Sequence, residues 1–156
     1  MSTEGGTPEE RLAAMGLSVP EVAKPVAAYI PAVRSGNHVF TSGQLPMRSG
    51  ELMLTGKVGG EVSPEEAVEC AKQCALNAIA AVRAEVGDLA QVKRIVKVVA
   101  FVASTPDFTG QPGVANGASE LFGEVFGEAG RHARSAVGVP VLPLDAPVEV
   151  ELVVEV

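Results

Sequence analysis

The chain reads as an α+β two-layer sandwich, with one mixed sheet of about six strands carrying two long helices on one face. Three stretches predict it. In Val148–Val156, residues Val148, Val150, Leu152, Val154 and Val156 alternate with Glu149, Glu151 and Glu155, the period-2 signature of a strand with one apolar face. In Pro64–Val86, residues Ala67, Ala71, Cys74, Ala75, Ala78, Ile79 and Val82 recur at helical spacing, and so many alanines let a helix lie close to a sheet. In Val114–Glu128, residues Ala118, Leu121, Phe122, Val125 and Phe126 form a second such stripe.

The elements follow in order. Met1–Gly6 is expected to be disordered. Thr7-Pro8-Glu9-Glu10 is a capping box with Pro at the first helical position; it opens a short helix, Pro8–Met15, closed at Gly16, with Leu12 and Met15 facing the body. Val19–Lys24 is a connector. Val26–Arg34 and His38–Ser42 read as a hairpin around Ser35-Gly36-Asn37. Pro31 cannot donate to a ladder, so the first of these strands is an edge or carries a bulge. A short strand, Glu51–Leu54, follows the Ser49-Gly50 turn. Gly56–Gly60 has neither phosphate-loop nor dinucleotide spacing and reads as a loop. Ser63-Pro64-Glu65-Glu66 is a second capping box, opening the helix that ends at Gly87. Val92–Ala103 is almost continuously apolar, as befits a central strand. Ser104–Gly113 is a loop, and after the second long helix Arg134–Val139 and Val148–Val156 are strands joined through Pro140, Pro143 and Pro147. Residues 1–22 are an N-terminal extension and 23–156 a single domain. The sheet face away from the helices combines apolar residues with Glu149 and Glu151, which predicts oligomerisation through it.

Composition narrows the function. A net charge of −7 with dispersed Lys and Arg, and only 4% aromatic residues, disfavours nucleic acid, whose affinity rests on phosphate neutralisation and base stacking. Cys70 and Cys74, four apart on a helix, read as buried or half-buried free thiols, which suits a reducing compartment. With His38 and His132 the only histidines, no metal-binding set is legible. Neither a secretory leader nor an apolar run of membrane-spanning length is present, so a cytoplasmic location is expected.

Small polar groups end the second strand at Thr41-Ser42-Gly43-Gln44; they suit a site lining or an ordinary turn. Arg134 opens one C-terminal strand and Glu149 the polar face of the other. If those strands are neighbours, the two could border a pocket that holds a small carboxylic acid and positions a water; the alternative is a surface ion pair at a sheet end. Neither histidine has an obvious partner, so no Ser-His-Asp set is read.

Tyr29, the segment Gly36-Asn37-His38-Val39-Phe40-Thr41-Ser42-Gly43-Gln44-Leu45-Pro46, Asn116, and Ala133-Arg134-Ser135 followed by Leu142-Pro143 and Val148-Glu149-Val150-Glu151 together resemble the YjgF/Rid family, also called UK114-like or endoribonuclease L-PSP. The resemblance runs from about Lys24 to Val156, and its strength lies in the two ends occurring in this order. It implies a chorismate-mutase-like fold, three subunits closing their sheets into a central barrel, and clefts between subunits. It further implies hydrolysis of reactive enamines and imines, such as 2-aminoacrylate or 2-iminopropanoate, to keto acid and ammonia without metal or organic cofactor. Arg134 would bind the substrate carboxylate and Glu149 would help position the attacking water. Tyr29, Ser42 and Asn116 match further substrate-binding positions. Ala136 stands where many members have Cys; its carbonyl could hold the water, but thiol chemistry is lost. The 108–117 loop departs from the common deaminases. Two alternatives accompany the deaminase reading: a non-enzymatic ligand-binding or protein-interaction trimer using the same clefts, and RNA cleavage, against which the acidic charge counts.

Overall fold

The computed structural model describes residues 6–23 and 28–156. Helix α1 spans Pro8–Ala14 with the predicted capping box: Thr7 accepts from the Glu10 backbone N–H, and the Glu10 side chain reaches back to the N-cap amide. Leu12 is wholly buried and belongs to the same hydrophobic core as the sheet and the long helices, while Met15 packs at its border. Arg11 secures the contact by donating to the Val125 carbonyl.

Strands β1 (Ala32–Ser35) and β2 (His38–Thr41) form the expected hairpin, with Gly36 at φ +60 in its loop. The first strand is shorter than Val26–Arg34. Residues 28–31 are not strand, and Val26 and Ala27 lie outside the described residues. Proline explains the late start: Pro31 has no N–H to place in a ladder, and its carbonyl accepts from Ser42 N instead. Met47–Arg48 (β3) was not read from the sequence. It pairs with β4, Glu51–Leu52, in a separate two-stranded ribbon. The main sheet therefore has five strands, in the order β1-β2-β7-β5-β6, rather than about six.

Helix α2 (Pro64–Val86) has the predicted bounds and capping box, and every residue of its predicted stripe is buried. Strand β5 covers Arg94–Ala103 and lies between β6 (Ala133–Val139), to which it is parallel, and β7 (Val148–Glu155), to which it is antiparallel. Helix α3 spans Gln111–Phe126 and starts inside the predicted loop. Gln111 donates to the Phe108 carbonyl and the Ser104 hydroxyl, and Pro112 supplies a helical φ in the first turn. A 3₁₀ turn, Gly127–Gly130, completes the predicted helical stretch.

Both long helices lie on one face of the sheet, with α2 over β7 and β2 and α3 over β5 and β6. They cross at Gly117, where any Cβ would run into the Val68 carbonyl. Val98, Ala100, Val102, Val148, Val150, Leu152 and Val154 fill the layer beneath them. The opposite face is open and mixed: Val33, Phe40 and Val137 are between 43% and 50% exposed, and β7 turns Glu149 and Glu151 to the same side. Among the described residues, no helix is long and apolar enough to cross a membrane.

Candidate functional site

Arg134 and Glu149 do not share a pocket within one chain. Strand β5 separates them: Arg134 pairs with Val98 and Glu149 with Phe101. Side-chain alternation also sends them to opposite faces. Arg134 is in register with buried Val98 and reaches α3, whereas Glu149 alternates with buried Val148 and Val150 and turns to the open face. Nor is Arg134 an ion-pair partner among the described residues.

The structure gathers the predicted residues into two clusters at different places on the sheet. The first lies at the β6 edge. Arg134 Nη1 donates to Asn116 Oδ1 at 2.8 Å and to Ser119 Oγ at 3.2 Å, and Nη2 donates to the Pro112 carbonyl at 3.4 Å. Asn116 sits on the second turn of α3, and the helix start at Gln111 is what aims it at Arg134. Ala136 is two residues further along β6, on the same face, opposite Ala100. These bonds engage Nη1 and one hydrogen of Nη2. The Nε edge of the guanidinium, with the second Nη2 hydrogen, is the fork that matches a carboxylate.

Ser119 and His132 belong to this cluster and were missed. Ser119 Oγ is 2.8 Å from His132 Nε2, and His132 Nδ1 is 2.6 Å from the Gly130 carbonyl oxygen. His132 therefore has the partner that could not be read from the sequence. The spacing of Ser119 three residues after Asn116, one turn along the same helix face, was the available signal.

The second cluster lies where β2 meets β7. After Thr41 the chain leaves the ladder, Thr41 Oγ1 accepts from Leu152 N, and pairing resumes at Gln44 with Val150. Ser42 and Gly43 form the outward bend. Ser42 donates its hydroxyl to the Ile30 carbonyl at 2.6 Å and its N–H to Pro31 at 2.8 Å. It thereby holds the segment bearing Tyr29, which is 43% exposed. At Gly43 a Cβ would overlap the Glu149 carboxylate, so only glycine admits that carboxylate here. Burial, and secondarily the like charge of Glu151, hold the Glu149 carboxyl above the ordinary carboxylate range.

Other features are structural. Cys70 and Cys74 are buried, as expected; burial pushes Cys70 up to about 11 and raises Cys74 well above the usual thiol value. A cleft of about 810 Å³ lies between residues 16–23, β3 and α2. Its buried amides are already engaged: Gln73 donates to Asn77, and Asn77 donates to the Leu45 and Met47 carbonyls. That network anchors the β3–β4 ribbon, and neither candidate cluster borders the cleft. No three His, Cys, Asp or Glu side chains converge as metal ligands among the described residues.

Comparison with known proteins agrees with this architecture. Residues 9–156 match the YjgF/chorismate mutase-like endoribonuclease family. Protein TCP17 of Trypanosoma cruzi is 46% identical over 142 residues, covering 90% of this chain and 89% of the relative. The 2-iminobutanoate/2-iminopropanoate deaminase of Dermatophagoides farinae is 35% identical over 140 residues, 88% of this chain and 93% of the relative. The crystal structure of Atu1372 from Agrobacterium tumefaciens, a protein of unknown function, superposes with a TM-score of 0.90 at 45% identity, over 96% of this chain and 93% of that one.

Proposed function

The chain belongs to the YjgF/chorismate mutase-like family, and from that premise we propose that it is a hydrolytic deaminase of small 2-imino acids and their enamine tautomers. The observation that carries the reading is the Arg134 guanidinium. Asn116, Ser119 and the Pro112 carbonyl hold it in place, and its carboxylate-matching fork is left over. The named deaminase activity of the Dermatophagoides relative supports the same reaction class.

An imine carbon is already electrophilic, so the enzyme must orient the acid, place a water and manage protons. Arg134 grips the carboxylate. Water adds to the C=N carbon and gives up a proton to Glu149, whose raised affinity for protons suits a base. The C=N bond becomes C–N in a carbinolamine. Glu149 returns that proton to nitrogen, ammonia leaves, and the hydroxyl gives its proton to the freed Glu149 carboxylate as the C–O bond becomes the keto carbonyl. Ala136 offers its backbone to the water.

The two clusters lie on opposite faces of the sheet and are separated across it, so a complete centre takes the Arg134 cluster from one copy and the Glu149 cluster from another. Unlike surfaces that meet head to tail close into a ring when the rotation between copies closes. The proposed assembly is a homotrimer burying the open face. Light scattering at micromolar concentration should report three times the 16.0 kDa chain mass; a monomer would sink the shared site.

The deciding experiment generates imino acids in situ with an amino-acid oxidase or a pyridoxal-phosphate lyase and follows keto-acid release. Acceleration by the protein supports the proposal. Carboxylate binding without acceleration supports the ligand-binding alternative instead.

A further inference from the structure

Four groups at the β6 edge form a hydrogen-bond chain whose direction follows from their chemistry. The Gly130 oxygen can only accept, so the proton of that contact is on His132 Nδ1. In the neutral ring Nε2 is then a lone pair, so the Ser119 hydroxyl donates to it across 2.8 Å. The Ser119 lone pairs are turned to the Arg134 Nη1 hydrogen 3.2 Å away. Donation therefore runs from Arg134 to Ser119 to His132, and from His132 to the Gly130 carbonyl.

Arg134, His132 and Gly130 are also fixed from outside the chain. Phe122 meets the His132 ring edge to face, with centroids 6.0 Å apart. Gly130 is buried with its Cα against the Phe122 carbonyl, where a side chain would not fit. The bond to His132 matters because a helical serine otherwise turns its hydroxyl back to the carbonyl three or four residues earlier. With the proton committed to His132, the oxygen remains an acceptor for Arg134. Together with Asn116 Oδ1 at 2.8 Å, it engages Nη1, while Nη2 reaches the Pro112 carbonyl of the same helix at 3.4 Å, so the guanidinium is held at its Nη end and its Nε–H is left for a ligand.

We propose that Ser119 and His132 are positioning residues for Arg134, selecting which edge of its guanidinium meets a carboxylate ligand. The proposal rests on the reading of Arg134 as the carboxylate clamp. A merely structural role would instead stitch α3 to the start of β6 and leave ligand binding alone.

The test uses the full chain. Nitrogen-15 NMR of the histidine rings should show His132 as the Nδ1–H tautomer, with its Nε2 signal shifted in Ser119→Ala; an Nε2–H tautomer overturns the chain. Pyruvate, a stable 2-oxo acid, serves as the binding probe in calorimetry. Ser119→Ala and His132→Phe should each weaken it about tenfold, and Ser119→Thr, which keeps the hydroxyl, should restore most of the loss. Because both singles break one chain, the double variant should be no worse than either single, whereas independent roles give additive losses. In the imine assay the same variants should raise KM and leave kcat within about threefold, the mark of binding shared by ground and transition states. Melting curves identify a variant that fails to fold, and His132→Leu, which also lacks an acceptor, then replaces His132→Phe. Unchanged pyruvate affinity in folded variants, or additive losses, overturns the positioning role alone. A wild-type protein that binds no carboxylate overturns the clamp and this proposal together, whatever the tautomer.

Discussion

The two clusters differ in how their charge is supported. At the β6 edge Arg134 is surrounded by acceptors, namely Asn116, Ser119 and the Pro112 carbonyl, so a fixed cation is stabilised there before any ligand arrives. At the β2–β7 junction Glu149 faces Glu151 and an apolar surface, and its charge is disfavoured. One region holds a permanent charge still; the other keeps a charge that is easily given up to a proton. A clamp needs the first and a base needs the second. Within one chain their separation on opposite faces of the sheet rules out a direct Arg134–Glu149 ion pair.

The most severe break removes the proposed clamp. Arg134→Ala should lower kcat/KM by about 10²–10⁴, since two charge-assisted hydrogen bonds of about 1.5–3 kcal/mol each are lost at about 1.4 kcal/mol per tenfold. Arg134→Lys keeps the charge without the fork and should remain impaired. Steady-state kinetics on folded protein checks both, and near wild-type turnover in Arg134→Ala would falsify the assignment.

Glu149→Gln should differ in kind. Carboxylate binding persists while turnover falls by about 10²–10⁴, the usual range for loss of a general base. Stability supplies a second readout. A carboxyl whose folded pKa is raised contributes stability that is present below its unfolded pKa and lost as pH rises through the folded one. The variant should therefore melt higher than wild type near neutrality, and the gap should close on acidification below the ordinary carboxylate range. A gap of the opposite sign would contradict the burial of an uncompensated charge.

Gly43→Ala sharpens the comparison from the side of geometry. A methyl at that position occupies the place of the Glu149 carboxylate and must push it aside. Activity should drop about tenfold, on the scale by which a small misplacement costs up to about 10², with the Arg134 cluster and pyruvate affinity intact. Equal loss of pyruvate binding would show that the clusters are not separable.

The smallest effect is expected at the thiols. Cys70 and Cys74 are wholly buried, and burial holds both in the neutral form; reactivity follows thiolate and access. A chromogenic disulfide reagent should leave the folded protein unmodified at neutral pH and consume both thiols in denaturant. Rapid labelling of the native protein would refute the placement of α2 against the sheet.

Local chemistry made much of this legible. The alternation in Val148–Val156, the alanine stripe of α2 and the boxes at Thr7 and Ser63 act within one or two turns or a single strand, so spacing alone reveals them. The motif segments around Ser42–Gly43, Arg134 and Glu149 carried the family likeness for the same reason. Met47–Arg48 escaped because a two-residue strand holds too little pattern, and the start of α3 escaped because Gly110 to Gly113 reads as a breaker while Gln111 caps the loop by contacts outside the helix.

What the sequence by itself determined are most of the elements and their buried faces; it also put forward Arg134 and Glu149 as the residues to watch. Only the tertiary structure decided where those two stand. The α3 crossover lays β6 parallel to β5 on one side, and the 140–147 connection carries the chain across the end of β5 to pair β7 on the other. That crossing is held by contacts distant in sequence, with Lys57 Nζ 2.8 Å from Asp145 Oδ1 and Gly56 N donating to the Asp145 carbonyl. Strand order arises from such long-range closures and from which surfaces the helices must cover, and neither leaves a mark in the spacing of β6 or β7. The turn from α3 into β6 brought Ser119 and His132, thirteen residues apart, to one side of Arg134.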